Sequence, residues 1–529
     1  MNSSSESSFY YPSYQGSQLH DRSQIWLLVV LAALFLLTVV LYITVDLNPP
    51  FLIATLSKAL YVDEGFYADA AQNFVKFGQW DLPYDSRHWP GAPLLALLQT
   101  LVFSVFGVSL DAARMISIVF AMLGCLAFYS IARTRLDPVV AALLVISCAI
   151  TFSFVAHTRA AIADPVATSL TLMSMLAFVR IRSRYLAIPI SLLFAYLAVF
   201  AKMYFLFVFL GITILWCAEL FLMPLFRMRK FDWRAVAVLV LTLAAIALSY
   251  WLYRTIFFDE ISNFLEINRN KKPLLHPLYF QYVLPNSFNA LPYDTKTYVF
   301  LYVLSLSAAY FLISRLLPSK FKRLIKDISS LGRAEWVMGT LLVMGVFIVG
   351  SLLQHKAHYY YFAILPISFL AVVSLYLIVP ERFRVLVISA VLLLHLSYQA
   401  SLYQEWVATP RKTSIEDASG AIVQQIHQED SSKMVPVIGE YSAQLALFSD
   451  RIVSLDEKWL TQKGLCERVS YWRPKYHVFV TRSTWVAEKE KYLTGKCDIV
   501  EAIDVVTRYS TFMPWNDQIV FSRIRYLDQ

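Results

Sequence analysis

Charge is what this chain has least of. Only 16% of its 529 residues are Asp, Glu, Lys or Arg, against about a quarter in an ordinary soluble domain. The mean hydropathy of +0.55 has the sign opposite to that of a soluble protein of this length. Also missing are a fixed-period repeat, a signal-cleavage pattern ahead of the first apolar run, and any clustering of histidine, cysteine and carboxylate at metal-ligand spacing. No metal and no cofactor is therefore expected. The net charge of +9 does not argue for nucleic acid. The basic residues cluster between apolar runs, as the positive-inside rule of membrane proteins requires.

What the chain does have is a series of discrete apolar runs. Ile25 to Val45 is the first, long enough to cross a hydrocarbon core of about 30 Å as a helix. Others follow near 115–132, 139–156, 160–179, 185–201, 203–224, 235–253, 297–314, 336–353, 359–379 and 385–402. The expected fold is a polytopic α-helical membrane protein with a small C-terminal α/β soluble domain. Residues 1–24 read as a disordered cytoplasmic tail, 25–403 as the transmembrane domain with a first outer loop at 46–92, and 404–529 as the extracytoplasmic α/β domain.

Orientation follows from five basic clusters. They are Arg133/Arg135, Arg180/Arg182/Arg184, Arg227/Arg229/Lys230/Arg234, Lys320/Lys322/Arg323/Lys326 and Arg382/Arg384. Two runs separate each cluster from the next, so all can face the cytoplasm together. Leu94 to Gly107 would break that count if it crossed. Its 14 residues suit a re-entrant or interfacial segment instead. About eleven spans then remain, with the N-terminus inside and the C-terminus outside. Crossing by 94–107 with the N-terminus outside is the weaker alternative.

This topology gathers the chain's membrane-proximal charges on the outer side, where they are functional candidates by default. The first loop carries Asp63 and Glu64 at the start of a predicted surface helix, 65–77, and later Arg87 and His88 just before Pro90 and Pro93. The next outer turn carries Arg159 and Asp164. Lys202 interrupts a long apolar stretch, and His355, Lys356, His358 and Tyr359 to Tyr361 form the densest polar-aromatic group. Each has a plain structural explanation: helix capping, an ion pair, a helix end, an aromatic belt. Together, carboxylates able to act as a base and cations able to hold phosphate look like a site for a phosphate-bearing substrate embedded in lipid.

At these residues the sequence resembles the GT-C membrane glycosyltransferases, in the protein mannosyltransferase and lipid A aminoarabinose transferase branch. The likeness rests on Asp63-Glu64 with Tyr67 and Ala71, and on His88 with Pro90 and Pro93. Arg114, the Arg159–Asp164 spacing, the isolated Lys202, and Lys356 through Tyr360 to Pro366 complete it. It covers roughly 25–380. The resemblance implies transfer of a sugar from a polyprenyl-phosphate carrier to an acceptor glycan, lipid or protein outside the cytoplasm, at the plasma (inner) membrane. Asp63 would be the catalytic base with Glu64 assisting. Arg87, His88, Arg159, Asp164, Lys202, His355, Lys356 and Tyr360 would bind substrate. One departure stands out. Where the aminoarabinose transferases have a Lys beside the prolines, this chain has Trp89, so Arg87, His88 or Lys202 must supply that charge.

The rival readings are a transporter or flippase of a lipid-linked or anionic substrate, and a silent membrane scaffold. Transporters place ionisable residues at mid-membrane and often show internal repeats; here the charges gather at one face.

The tail predicts a helix over 413–428, opened by Ser414 and Asp417 in a capping-box pattern. Strands are expected at Val435–Ile438, His477–Thr481, Ile499–Val505 and Gln518–Ile524, with helical stretches near 441–449 and 484–493. No nucleotide-binding glycine pattern occurs there. Cys125, Cys148 and Cys217 read as packing residues. An extracytoplasmic tail would permit a Cys466–Cys497 disulfide, but sequence does not give their separation.

Overall fold

The computed structural model describes residues 17–43, 59–82, 89–222, 224, 231–262, 332–352, 362–408, 415–439, 441–455, 462–482, 493–494, 497, 499–510 and 517–527. The apolar run 297–314 lies outside these residues, as does most of the expected 484–493 helix.

The chain is a helical membrane domain followed by a mixed sheet. The membrane domain contains α1 (Ser17–Ile43), α2 (Ala59–Phe77), α3 (Pro93–Phe106), α4 (Leu110–Ala132), α5 (Pro138–Ala149), α6 (Phe152–Thr158) and α7 (Ala163–Arg180). It continues through α8 (Arg184–Ala201), α9 (Leu206–Cys217), α10 (Trp233–Ile256), α11 (Arg333–Leu352), α12 (Ile364–Ile378) and α13 (Arg384–Ala408). Among the described residues, five helical stretches are long and apolar enough to cross a membrane by length and composition. The integral-membrane fold expected from the hydropathy is the fold found. α1 starts at Ser17, ahead of the apolar run that begins at Ile25.

Two expected runs are interrupted, for visible reasons. Run 139–156 breaks between α5 and α6. There Thr151 donates its hydroxyl to the Cys148 carbonyl at 2.9 Å and accepts from the Phe154 amide at 3.3 Å, capping a new helix. Run 160–179 starts as a helix only at Ala163, because 159–162 form a turn held by Ile162 N–H to Ala160 O at 2.8 Å. Elsewhere the helices pack closely. At Gly124 of α4 an added Cβ would lie 2.6 Å from Ser169 Oγ of α7, so a larger residue there would have to displace that hydroxyl.

The basic ends gather at one end of the bundle. Arg135 pairs with Glu335 at the start of α11. Arg333 pairs with Glu219 just beyond α9, and Arg184 at the start of α8 reaches the same carboxylate at 3.3 Å. Arg180 donates to the Ser130 carbonyl of α4 at 2.9 Å. Tyr376 near the end of α12 donates to Asp137 at 2.7 Å.

α3 begins and ends at the opposite end. Trp89, just before it, stands edge-on to Phe257, which follows α10, at 5.0 Å. Its last turn places Phe103 in one apolar cluster with Leu110 and Ala113 of the α4 start. Both of its ends thus make their contacts at one end of the bundle.

The tail contains α14 (Ile415–Glu429), β1 (Val435–Ile438), α15 (Ser442–Leu445), β2 (Ile452–Leu455), α16 (Gln462–Trp472), β3 (Tyr476–Arg482), β4 (Val500–Ser510) and β5 (Asp517–Tyr526). The sheet order is β2-β1-β3-β5-β4. β1 pairs in parallel with β2 and β3, and β5 pairs antiparallel with β3 and β4. β2 and α16 went unpredicted. The β2 run is four residues long, and α16 is mostly polar.

Cys466 and Cys497 are disulfide-bonded across a sequence separation of 31. Closing a loop of that length contributes about 3–4 kcal/mol through the unfolded chain. Cys466→Ser is expected to make the tail domain unfold at lower urea concentration in the intact protein, followed by trypsin cleavage. Equal cleavage midpoints in variant and parent would count against this.

Candidate active site

The site assembles from the ends of helices at the end of the bundle opposite the basic clusters. Glu64 lies in the second turn of α2, since the helix begins at Ala59, ahead of the expected start at 65. Its side chain is buried, 2% exposed, against Arg114 of α4, itself 7% exposed. Arg114 Nε donates to Glu64 Oε1 at 2.8 Å and Nη2 to Oε2 at 3.0 Å. This is the fork-to-fork geometry in which arginine holds a carboxylate most strongly. Glu64 Oε1 also accepts from the Ala161 amide at 2.9 Å. One carboxylate thus ties α2, α4 and the α6–α7 turn together. That turn is fixed from below as well: Ser117 of α4 donates to the Ile162 carbonyl at 3.1 Å.

The tied turn sets two charged residues at helix ends. Arg159 is the C-cap of α6 and Asp164 sits in the first turn of α7. Each sign suits its helix end, because the partial charges there favour a cation at a C-terminus and an anion at an N-terminus. Both are buried.

Lys202 is the C-cap of α8, where φ −159° and ψ 116° end the helix in extended backbone. It is 5% exposed. It pairs with Asp164 Oδ2, and Tyr204 donates its hydroxyl to Asp164 Oδ1. The ammonium stands 5.4 Å from the Tyr67 ring centroid and 4.8 Å from that of Tyr204. These faces add attraction for a cation held away from bulk water. Tyr67 comes from α2, so the Lys202–Asp164 pair lies beside the helix that carries Glu64.

The structure therefore brings Glu64, Asp164 and Lys202 into one buried region, with Arg159 on the turn between them. Asp164 is held by Lys202 and Tyr204, and not by the simple ion pair with Arg159 that was the plain structural explanation of the two charges. Asp63 belongs to α2, one residue before Glu64, and its side chain lies outside the described residues. Arg87, His88, His355, Lys356 and Tyr360 also lie outside them. Sequence reasoning left Arg114 and Tyr204 out of the site. Arg114 carried a signal, being an ionisable residue just ahead of an apolar run and one of the residues of the family resemblance. Tyr204 carried none beyond its nearness to Lys202. Among the described residues no group of three or more His, Cys, Asp or Glu is placed to hold a metal.

α2 is also gripped from the tail. Gln72 donates to the Ala443 carbonyl of α15 at 3.3 Å. Lys76 donates to the carbonyls of Ala446 and Ser449, each at 2.9 Å. Burial pushes the Lys76 ammonium down to about 8, with Asp450 and Asp69 opposing the shift.

No protein-family model matches the sequence, and none of the curated proteins does. Solved structures do match in shape. ArnT from Cupriavidus metallidurans, bound to undecaprenyl phosphate, superposes with a TM-score of 0.55 at 13% identity, over 94% of this chain and 98% of that one. The same protein in the apo state gives 0.55 at 14% identity over the same shares. An oligosaccharyltransferase from Archaeoglobus fulgidus, in complex with Zn and sulfate, gives 0.46 at 12% identity, over 93% of this chain and 72% of that one. At such identities the likeness is one of fold, and it extends through the tail as well as the helices. The chain shares the fold of ArnT, the fold that the resemblance implied.

Proposed function

We propose that the protein is a membrane glycosyltransferase that moves a sugar from a polyprenyl-phosphate carrier to an extracytoplasmic glycan, lipid or protein hydroxyl. The observation that carries this reading is the set of buried ion pairs, Glu64–Arg114 and Asp164–Lys202, closed under the helix that bears Asp63. Buried charges at a membrane interface are costly and mark functional sites. The ArnT fold, solved with undecaprenyl phosphate, supports a donor of that class.

In this reading the acceptor oxygen attacks the anomeric carbon, and Asp63 takes the hydroxyl proton. The bond from that carbon to the phosphate oxygen breaks, and polyprenyl phosphate leaves with its charge. Lys202 and Arg159 stabilise that charge in surroundings that exclude water. Arg87, His88, His355, Lys356 and Tyr360 complete the donor site. Glu64 already spends both oxygens on Arg114 and Ala161. Its assistance is to hold Asp63 in place rather than to move a proton. Asp164 sets the position of Lys202.

The test uses purified full-length protein in nanodiscs with a panel of polyprenyl-phosphate sugars, reading release of polyprenyl phosphate. Release with at least one donor is expected. Movement of intact donor between leaflets without release would make the protein a flippase instead.

The reaction is placed outside the inner membrane because the basic loops are placed inside. Reporter fusions after residues 135 and 230 are expected to give cytoplasmic signals. Periplasmic signals at both points would reverse the orientation and move the site to the wrong face.

A further inference from the structure

The tail domain is folded against α2 more intimately than a covering lid needs to be. At Gly65, one residue after Glu64, a Cβ would lie 2.3 Å from the Gln444 amide nitrogen of α15 and 2.5 Å from the Ala443 carbonyl carbon. Backbone meets backbone there, and the absent side chain is what permits it. Three turns on, Lys76 donates to two carbonyls of the turn after α15. Beyond the helix, Leu82 is 6% exposed in the same apolar cluster as Ile438, Val453 and Val469 of the tail. A neighbouring face of α2 rests on the membrane domain, where Ala68 and Ala71 pack with Phe103, Leu110 and Ala113. Leu447 of the tail belongs to that cluster too.

A helix in a protein owes most of its stability to what its faces pack against. The position of α2 is set by what it touches, and one of its two supports is the tail domain. We propose that the tail domain is a brace for the catalytic helix, with Gly65 and Lys76 as positioning residues that set where Asp63 stands relative to the donor. The inference rests on the proposed transfer reaction for its kinetic readout, but not for its structural one.

Gly65→Ala separates the two expectations cleanly. Alanine favours a helix over glycine. Its methyl nevertheless needs α15 to withdraw by about 1 Å, a displacement that costs about 10²-fold when it misplaces a reacting group. Lys76→Met removes the hydrogen bonds donated to the Ala446, Ser449 and Ile452 carbonyls; Lys76→Arg keeps a donor there.

The experiment takes the full chain in nanodiscs and measures donor turnover and amide exchange together. In Gly65→Ala, kcat is expected to fall by about 10–100-fold with the donor KM within about twofold. Exchange over 59–77 is expected to quicken by about tenfold while α4 and α7 stay protected. Lys76→Met is expected to move in the same direction, and Lys76→Arg to recover most of the loss. Unchanged protection of 59–77 in both Gly65→Ala and Lys76→Met overturns the brace, whatever the kinetics. So does a kcat loss matched by lost protection throughout α4 and α7, which is general destabilisation. Absence of transfer by the parent protein counts against the reaction alone, since exchange over 59–77 still decides the brace.

Discussion

Exchange of Asp63 for asparagine is expected to slow transfer by about 10²–10⁴-fold, the range for loss of a general base. Asparagine keeps the shape of the side chain and cannot take the acceptor's proton. Donor binding does not need that proton, so the donor KM should stay near the parent value while kcat falls. Glu64 cannot stand in, because Arg114 and the Ala161 amide already occupy its oxygens. Turnover by Asp63→Asn at the parent rate would end the assignment of Asp63 as base.

The second large effect concerns stability as well as rate. Arg114→Met should destabilise the membrane domain by about 3–5 kcal/mol, because it leaves the Glu64 carboxylate buried without its counter-charge. The carboxylate has little alternative, at 2% exposure. Glu64→Gln alone should cost less, since an amide keeps one acceptor for Ala161. The double change, Glu64→Gln with Arg114→Met, should be more stable than Arg114→Met alone, because no unpaired carboxylate remains. Thermal unfolding in detergent measures all three. Strict additivity of the two single effects would mean that the pair contributes nothing as a pair. Transfer should fall in every case, since Glu64 ties α2 to the turn that carries Arg159.

The contrast between these residues shows what the sequence could carry. The membrane spans were legible because apolar composition over a run is a local property. The face bearing the charges was legible because basic loops alternate with spans, and the structure gathers Arg135, Arg184 and Arg333 at one end. β1 was legible to the residue, being a short apolar run between polar turns. The partner of Glu64 was not. Arg114 lies 50 residues away, and nothing local records which of several outer cations it would meet. The spacing of Arg159 and Asp164 allowed an ion pair between sequence neighbours, while Asp164 pairs with Lys202, 38 residues on. The break at Thr151 was hidden because an apolar run reads the same whether one helix or two fill it. The grip of the tail on α2 was invisible for the same reason: Gly65 looks like any glycine until α15 is set against it.

The lacing of Arg135 to Glu335, and of Arg184 and Arg333 to Glu219, makes one crosslinked block of α8, α9, α11 and the α4–α5 loop, at the end of the bundle away from Lys202. Glu219 is the knot of that block: two arginines from two helices share its one carboxylate, so its loss frees both at once.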